Sequence, residues 1–375
     1  MNEFKLIDTV MPDVPPSDPG KVAEVRTRVL AGGRRRRISA WAGVLVAATA
    51  TVAVIAGVVL VPRLGGGSAT VMNQPAAREV LFGAADRLAR RQEAAEKPYW
   101  RREIEVVSRD QADPAVGRFV VEIRNRQVVW LGRRQGKVHE LRGLSSTPYT
   151  SADETVWRRA GSPRLCGVDA DCANDSNPMG RTRYLVDPGL KAPLSMINNP
   201  LTVDELLRLP EEPGALKAKL QSYWPAYQKA MKNWPTPPPG GSLPDANDHL
   251  RELSEVLLYE VPSTSQVRAA AYRILADLPG MRVADGVRTV DGRHGVALTM
   301  TVNGGVSERQ LVVDRNTGEL MAIQEMLLRP DARKWPGISR GTVTHTLVMK
   351  NIGWTDDKPA VPKSCLSGKP TECLR

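Results

Sequence analysis

One uninterrupted apolar stretch constrains this chain more than any other feature. Residues 38–61 read ISAWAGVLVAATATVAVIAGVVLV and contain no charged side chain over 24 positions. A helix of that length rises about 36 Å, enough to cross a hydrocarbon core of about 30 Å with some tilt. The stretch therefore predicts a single transmembrane helix, preceded by a short head at residues 1–37.

The charges beside this stretch predict its orientation. The run from Arg34 to Arg37 immediately precedes it, whereas only Arg63 follows it closely. Positive residues next to a membrane span remain on the cytoplasmic side. We therefore expect a single-pass protein of the plasma membrane, with a cytoplasmic N-terminus and the bulk of the chain extracytoplasmic. A cleaved signal peptide is the main alternative, but its apolar region is typically about 7–15 residues long, so an uncleaved signal-anchor is favoured.

Composition and charge narrow the class of partners. The hydrophobic content of 42% and the charged content of 25% are ordinary for a folded globular protein. The formal net charge is +11, of which residues 1–37 contribute +3. A basic protein can bind nucleic acid, but membrane topology already accounts for the densest basic run. We therefore expect the lipid bilayer as a partner and no nucleic acid, with the scattered outer charge suited to a negatively charged envelope surface.

The four cysteines all follow the apolar stretch and form two close pairs. They are Cys166, Cys172, Cys365 and Cys373. An even number of cysteines on the oxidising side of a membrane favours disulfides, and spacings of six and eight residues suit small loops. Zinc ligation would require tighter CxxC-type spacing, which this chain lacks. The sequence therefore predicts Cys166–Cys172 and Cys365–Cys373 bridges and no metal site.

Beyond the span, the pattern predicts a linker at residues 62–75, a domain at residues 76–355 and an irregular tail at residues 356–375 that contains the second disulfide. Apolar and polar residues alternate as in strands over residues 99–141, and a further strand is expected around Trp157.

Apolar periodicity predicts a helix over residues 76–96 and several helices over residues 202–278. Strand-type alternation then resumes at Met281, with hairpin turns at Asp291-Gly292 and Asn303-Gly304. Helix, meander, helices and meander in this order predict an α+β fold. We expect an antiparallel sheet covered by helices, and a curved half-barrel is one form that such a sheet can take.

Two of the predicted helices carry start signals. Thr202 with Glu205, and Ser263 with Gln266, have the spacing of a capping box. The second pair opens a helix ending at Leu278, with Arg273 on its polar side. Its apolar face consists of Val267, Ala271, Ile274, Leu275 and Leu278. A face of this spacing is typical of a helix that covers a core.

Three segments resemble a known family. Residues 206–216 read LLRLPEEPGAL, residues 269–280 read AAAYRILADLPG, and residues 313–320 read VDRNTGEL. These segments resemble an actinobacterial family of uncharacterised single-pass membrane proteins that are often encoded beside extracytoplasmic-function sigma factors. The resemblance is strongest over residues 202–325. It implies an envelope location and a signalling context, and it carries over no catalytic residue.

Local motifs for catalysis and cofactor binding are absent from the sequence. The four histidines, His139, His249, His294 and His345, are far apart and match no HExxH pattern. GxxxxGK[ST] and GxGxxG are also absent, and the GxSxG string at residues 337–341 precedes a predicted strand, whereas a nucleophile elbow leads into a helix. Asp153 with Glu154, or Asp245 with Asp248, can be drawn as carboxylate pairs, but acidic neighbours are common on solvated surfaces. We therefore predict no catalytic, cofactor-binding or metal-binding residue, and no enzyme.

Three functional hypotheses follow from these observations. The favoured one is an accessory or sensory protein of envelope signalling, with a cytoplasmic or envelope protein as its partner. An alternative is a tethered carrier or binding module for an apolar ligand, by analogy with half-barrel carrier folds. An anchored hydrolase is the least favoured. An apolar cavity between sheet and helices would support the carrier, and a convergent acid–base pair in a cleft would support the hydrolase.

The predicted topology can be tested on intact cells by cysteine accessibility. We expect a cysteine introduced at position 10 to resist a membrane-impermeant maleimide until the cells are permeabilised. One introduced at Arg340, in the predicted outer domain, is expected to react at once. The reverse pattern would refute the orientation.

Overall fold

The computed structural model describes the chain from Thr70 to Leu374, with internal gaps. The described residues are 70–72, 74–91, 95–112, 117–132, 136–165, 182–188, 194–196, 199–232, 244–330, 338–366 and 371–374. The predicted span at residues 38–61, the head at residues 1–37 and most of the predicted linker lie outside them. Within these ranges, no helix combines the length and the apolar character that a membrane crossing requires.

Eleven of the described strands form one open antiparallel sheet. In chain order they are β1 (Thr70–Met72), β2 (Tyr99–Gln111), β3 (Val120–Gly132), β4 (Gly136–Pro148), β5 (Thr182–Asp187), β8 (Arg282–Arg288), β9 (His294–Val302), β10 (Ser307–Val313), β11 (Leu320–Leu327), β12 (Val343–Thr355) and β13 (Thr371–Leu374). Strands β6 (Leu194–Met196) and β7 (Asn199–Leu201) pair separately.

The order across the sheet is β1-β8-β9-β10-β11-β12-β2-β3-β4-β5-β13. The two predicted meanders are therefore halves of one sheet, joined where β12 pairs with β2 over a register from His345–Ser108 to Thr355–Tyr99. This pairing of the last long strand with the first is a contact between residues more than 230 positions apart in sequence.

Seven α-helices are described. They are α1 (Gln74–Ala89), α2 (Ser151–Arg159), α3 (Val203–Leu206), α4 (Pro213–Gln221), α5 (Trp224–Lys232), α6 (Ala246–Tyr259) and α7 (Ser265–Ala276). The capping box of Thr202 and Glu205 at the start of α3 is confirmed. The cap of α7 differs from the prediction, because Thr264 accepts the hydrogen bond from the Val267 N–H while Ser263 donates to the Leu257 carbonyl.

Three segments also differ in secondary structure from the sequence-based expectation. The predicted strand around Trp157 is wrong, because Thr150 and Asp153 form a capping box that begins helix α2. Strand β1 lies within the predicted linker and pairs with β8 at the edge of the sheet. The predicted irregular tail contains β13, which pairs with β5. In the last two cases a partner strand, absent from the local sequence, supplies the hydrogen bonds that order the segment.

The main core lies between one face of the sheet and the helices. Its sheet side includes Ile104 of β2 together with Val283, Leu298, Leu311 and Ile323, which the register places opposite one another across β8 to β11. Its helix side includes buried residues of α1, α4, α6 and α7, and α7 is in contact with the other three helices. Removal of this apolar surface from water is the main stabilising contribution to such an arrangement.

The turn at residues 314–318 sets how closely α1 approaches the sheet. The Asp314 carboxylate accepts hydrogen bonds from the Asn316 and Thr317 N–H groups, at 2.7 and 3.3 Å. Gly318 then adopts a φ of +77°, and a Cβ atom there would lie 2.6 Å from the Ala84 carbonyl oxygen of α1. Glycine is therefore required for two reasons, the left-handed backbone and the close contact with the helix.

Replacing Ile274 by alanine is expected to destabilise the domain by about 2–5 kcal/mol, because its buried side chain would leave a cavity in the core. Arg273, the neighbouring residue, is partly exposed and pairs with Asp86 of α1 at 2.7 Å. Its replacement by alanine is expected to cost no more than about 1 kcal/mol. Urea unfolding of a fragment that begins ahead of Thr70 measures both, and a larger effect at Arg273 would contradict the burial of this face.

Candidate functional site

A charged pocket of 320 Å³ lies between helix α6 and strands β9 to β11. It is lined by Arg251, Glu252, Glu255, Val256, Tyr259, Val302, Asn303, Arg309 and Glu325. Five of these nine side chains are charged, three from α6 and two from the sheet. This pocket brings five charged groups together in one concave space.

The periodicity of both elements explains this convergence. Arg251, Glu255 and Tyr259 follow one another at intervals of four residues and so share a face of α6. In the sheet, Arg309 lies directly opposite Glu325, and Glu325 lies opposite His345. Because opposed residues of neighbouring strands project to the same side, these three form a polar row across β10, β11 and β12.

Glu255 is the centre of the ion-pair network in this pocket. Its side chain is only 3% exposed. It accepts a hydrogen bond from Arg251 Nη1 at 2.8 Å and another from Arg309 Nε at 2.6 Å. Arg309 also donates to Glu325 through Nη1, at 2.8 Å. The two guanidinium groups offset the high free-energy cost of burying the Glu255 carboxylate. The carboxylate in turn offsets the cost of burying the two guanidinium groups.

Glu252 and Tyr259 in this pocket have shifted protonation equilibria. Burial raises the pKa of Glu252, and the Glu255 carboxylate adds to this rise against the opposing effect of Arg251. Burial also raises the pKa of Tyr259 to about 12, so its hydroxyl remains a hydrogen-bond donor near neutral pH. Glu252 is the glutamate of the pocket least engaged by arginine, since its only described contact is with Arg251 Nη2 at 3.5 Å and its side chain is 43% exposed.

The polar row extends beyond the pocket to His345 and Ser108. Ser108 Oγ lies 3.4 Å from His345 Nδ1. Burial lowers the pKa of His345, so its imidazole is neutral at pH 7. A histidine with a lowered pKa is a weak base, and this row therefore offers hydrogen bonding more readily than proton abstraction.

The predicted cysteines have two outcomes. The Cys365–Cys373 disulfide is present. It links the short turn at Lys363–Cys365 to edge strand β13, and Cys365 is buried against Tyr184 and Val186. Cys166 and Cys172 lie outside the described residues, so their bridge stays a prediction.

The carboxylate pairs considered in the sequence have structural roles. Asp153 caps α2, and Glu154 forms an ion pair with Arg158 one turn later. Asp245 and Asp248 form the capping box of α6. His249 is buried and stacks against Tyr227, with ring centroids 4.4 Å apart. Among the described side chains, no three histidine, cysteine or acidic residues are grouped in a way that could hold a metal ion.

No sequence motif marks the residues that line this pocket. Arg251 and Glu255 have i,i+4 spacing in the sequence, but such pairs are common on solvated helices and do not by themselves indicate a pocket. Arg309 and Glu325 lie in β10 and β11, the two strands of one hairpin, and only their register places them opposite each other. No known protein family, no curated protein and no solved structure matches this chain.

Replacing Glu255 by alanine is expected to destabilise the domain by about 3–5 kcal/mol, because it leaves Arg251 and Arg309 without their buried partner. Glu154→Ala is the matched control, since Glu154 and Arg158 are also an i,i+4 pair but are largely exposed. The control is expected to cost only about 0.3–0.5 kcal/mol. Equal midpoints of urea unfolding for the two variants would show that the buried network does not stabilise the fold.

Proposed function

We propose that this protein is a membrane-anchored extracytoplasmic binding protein, acting as an accessory or sensory partner in envelope signalling. The predicted span and its flanking arginines support the location. The resemblance to proteins encoded beside extracytoplasmic-function sigma factors supports the signalling context. The charged pocket beside α6 supports a role in binding.

The main support for this proposal is the network of ion pairs centred on Glu255. Arg251 and Arg309 both hydrogen-bond to this one carboxylate, and Arg309 is shared with Glu325. Arginine is protonated throughout the physiological range and cannot act there as a general base. A pocket whose charged groups pair with one another in this way is suited to recognising the charge and shape of a ligand. We assign no catalytic acid–base pair to it.

The charge of the pocket indicates what it would recognise. Its lining contains three glutamates, Glu252, Glu255 and Glu325, against two arginines. The surplus negative charge is located at Glu252, which is half-exposed and only weakly paired. The Tyr259 hydroxyl and the Asn303 side chain add neutral hydrogen-bonding groups. We therefore propose that a basic side chain of a partner protein enters this pocket.

The tethered carrier remains the second candidate, and one observation favours it. An apolar cluster of Trp100, Val129 and Leu131, with Ile352 and Trp354 partly buried beside it, lies in the half of the sheet formed by β12, β2 and β3. A sheet curved into a half-barrel around such a cluster would suit an apolar ligand. The hydrolase stays the least favoured proposal, because it would need Glu252 to act alone.

The binding proposal can be tested in the native membrane with the full chain. A photo-crosslinking amino acid at Asn303, on the pocket rim, is compared with one at Arg158, on exposed helix α2. We expect a discrete protein adduct from position 303 and none from position 158. The adduct should become at least fivefold weaker in Glu252→Gln, which keeps the shape and removes the charge.

Two results would contradict this proposal. The first is the same adduct from both crosslinking positions, which would place the contact elsewhere or make it non-specific. The second is an unchanged adduct in Glu252→Gln when urea unfolding shows that the variant is as stable as the parent, since the surplus charge would then be irrelevant to binding.

A further inference from the structure

The charged pocket beside α6 has room for a side chain of another molecule. Its volume of 320 Å³ lies at the lower end of the range of about 300–1,000 Å³ that small-molecule sites occupy. Val256 lines it from the helix and Val302 from the sheet, so an aliphatic stem that enters between them lies against apolar surface. The space is sufficient for one long cationic side chain.

The carboxylate oxygens that remain available in this pocket come from both of its walls. Both oxygens of Glu255 are already used, Oε1 by Arg251 and Oε2 by Arg309. Glu325 of β11 accepts from Arg309 through Oε1, and its Oε2 has no described partner. Glu252 of α6 has only the 3.5 Å contact of its Oε1 with Arg251. A carboxylate of the helix and a carboxylate of the sheet can therefore each accept a further hydrogen bond.

Asn303 adds a third acceptor, in a backbone conformation that is uncommon for its residue type. Its φ is +54°, and Gly304 and Gly305 after it also have positive φ values. The Val306 N–H closes this turn by donating to the Asn303 carbonyl at 3.2 Å, and the described hydrogen bonds do not involve the exposed Asn303 side chain. Asparagine tolerates the left-handed region better than most residues, but less well than glycine. A carboxamide kept at this position is consistent with a role in the pocket.

Three acceptors on three different elements favour a planar cation over a compact one. A guanidinium has five N–H donors that diverge in one plane, whereas the three donors of an ammonium share a single nitrogen. That nitrogen must lie about 3 Å from every acceptor it satisfies, which requires all the acceptors to converge on one point. A guanidinium is also more weakly hydrated, so it loses less hydration free energy on entering a partly buried site. The arrangement therefore favours arginine over lysine.

We propose that the pocket selects an arginine side chain of the partner protein. Its guanidinium bridges Glu252 and Glu325 and donates to the carboxamide oxygen of Asn303, while its aliphatic stem lies between Val256 and Val302. This inference rests on the proposed binding function and deepens it, because it names the group that enters the pocket. It also makes Asn303 a specificity-determining residue, a role that the turn alone does not require.

Ligand-observed fluorine NMR with the full chain in nonionic-detergent micelles tests the selection of a guanidinium. The probes are three trifluoroacetylated peptide amides, Gly-Arg-Gly, Gly-Lys-Gly and Gly-citrulline-Gly, and empty micelles give the background. We expect saturable binding of the arginine peptide, at least tenfold weaker binding of the lysine peptide, and no saturation by the citrulline peptide, which keeps the shape without the charge. Equal affinity for arginine and lysine would overturn the selection, and no binding of the arginine peptide up to about 10 mM would overturn the site itself.

Two glycine substitutions separate recognition by Asn303 from relief of its backbone. Ser162 is the matched control, because its φ is also +54° and it does not line the pocket. Asn303→Gly and Ser162→Gly are both expected to leave the midpoint of urea unfolding unchanged or slightly higher. Only Asn303→Gly is expected to weaken binding of the arginine peptide, at least threefold. Unchanged binding in Asn303→Gly, or an equal loss in Ser162→Gly, would remove Asn303 from recognition.

Competition against a partner adduct distinguishes this inference from the proposed function. The photo-crosslinking residue is placed at Val306, which is 37% exposed and leaves Asn303 intact. We expect the arginine peptide to suppress the adduct at a concentration at least tenfold lower than the lysine peptide does. Equal suppression by both peptides would leave the partner contact standing and overturn the selection of arginine. Binding of the arginine peptide without any adduct would support the guanidinium site and overturn the protein partner.

Discussion

The apolar contact between the helices and one face of the sheet is the interaction on which the other features depend. Helix α7 lies among α1, α4 and α6 and contributes a nearly continuous set of buried residues to a core shared with β8 to β11. Neither layer can bury its apolar side without the other, because a single helix or an uncovered sheet would leave that surface in water. The turn at residues 314–318 lies directly against α1, so its glycine helps to set the distance between the layers.

The buried charged side chains of α6 lie beside its core-facing leucines. Helix α6 buries Leu250, Leu253 and Leu257 in the core, and the adjoining face of the same helix carries Arg251 and Glu255. These two side chains are almost fully buried and pair with each other, and Arg309 from the sheet donates a second hydrogen bond to Glu255. Replacing such a network by apolar residues is often neutral or stabilising in other proteins, whereas removing one partner alone is costly because it leaves a buried charge unpaired.

Much of the local structure could be predicted from neighbouring residues alone. The Thr202–Glu205 box, the Asp291-Gly292 turn and the apolar face around Ile274 all depend on interactions within a few residues. The errors have the same origin. The segment around Trp157 has a strand-like composition, but the cap supplied by Thr150 and Asp153 makes it a helix. Strands β1 and β13 could not be found, because what orders them is a partner strand far away in the sequence.

The sequence by itself determined the α+β class, the order of its helices and meanders, and the pairing of Cys365 with Cys373, because these follow from periodicity, turn residues and short loops. Only the tertiary structure decided that the two meanders are one sheet, since the pairing of β12 with β2 joins distant residues. It also decided which charges meet. Glu255 and Arg309 are 54 residues apart, and nothing in either segment marks them as partners. Their contact arises because helix packing and strand register, which are long-range and cooperative, bring one face of α6 over one row of the sheet.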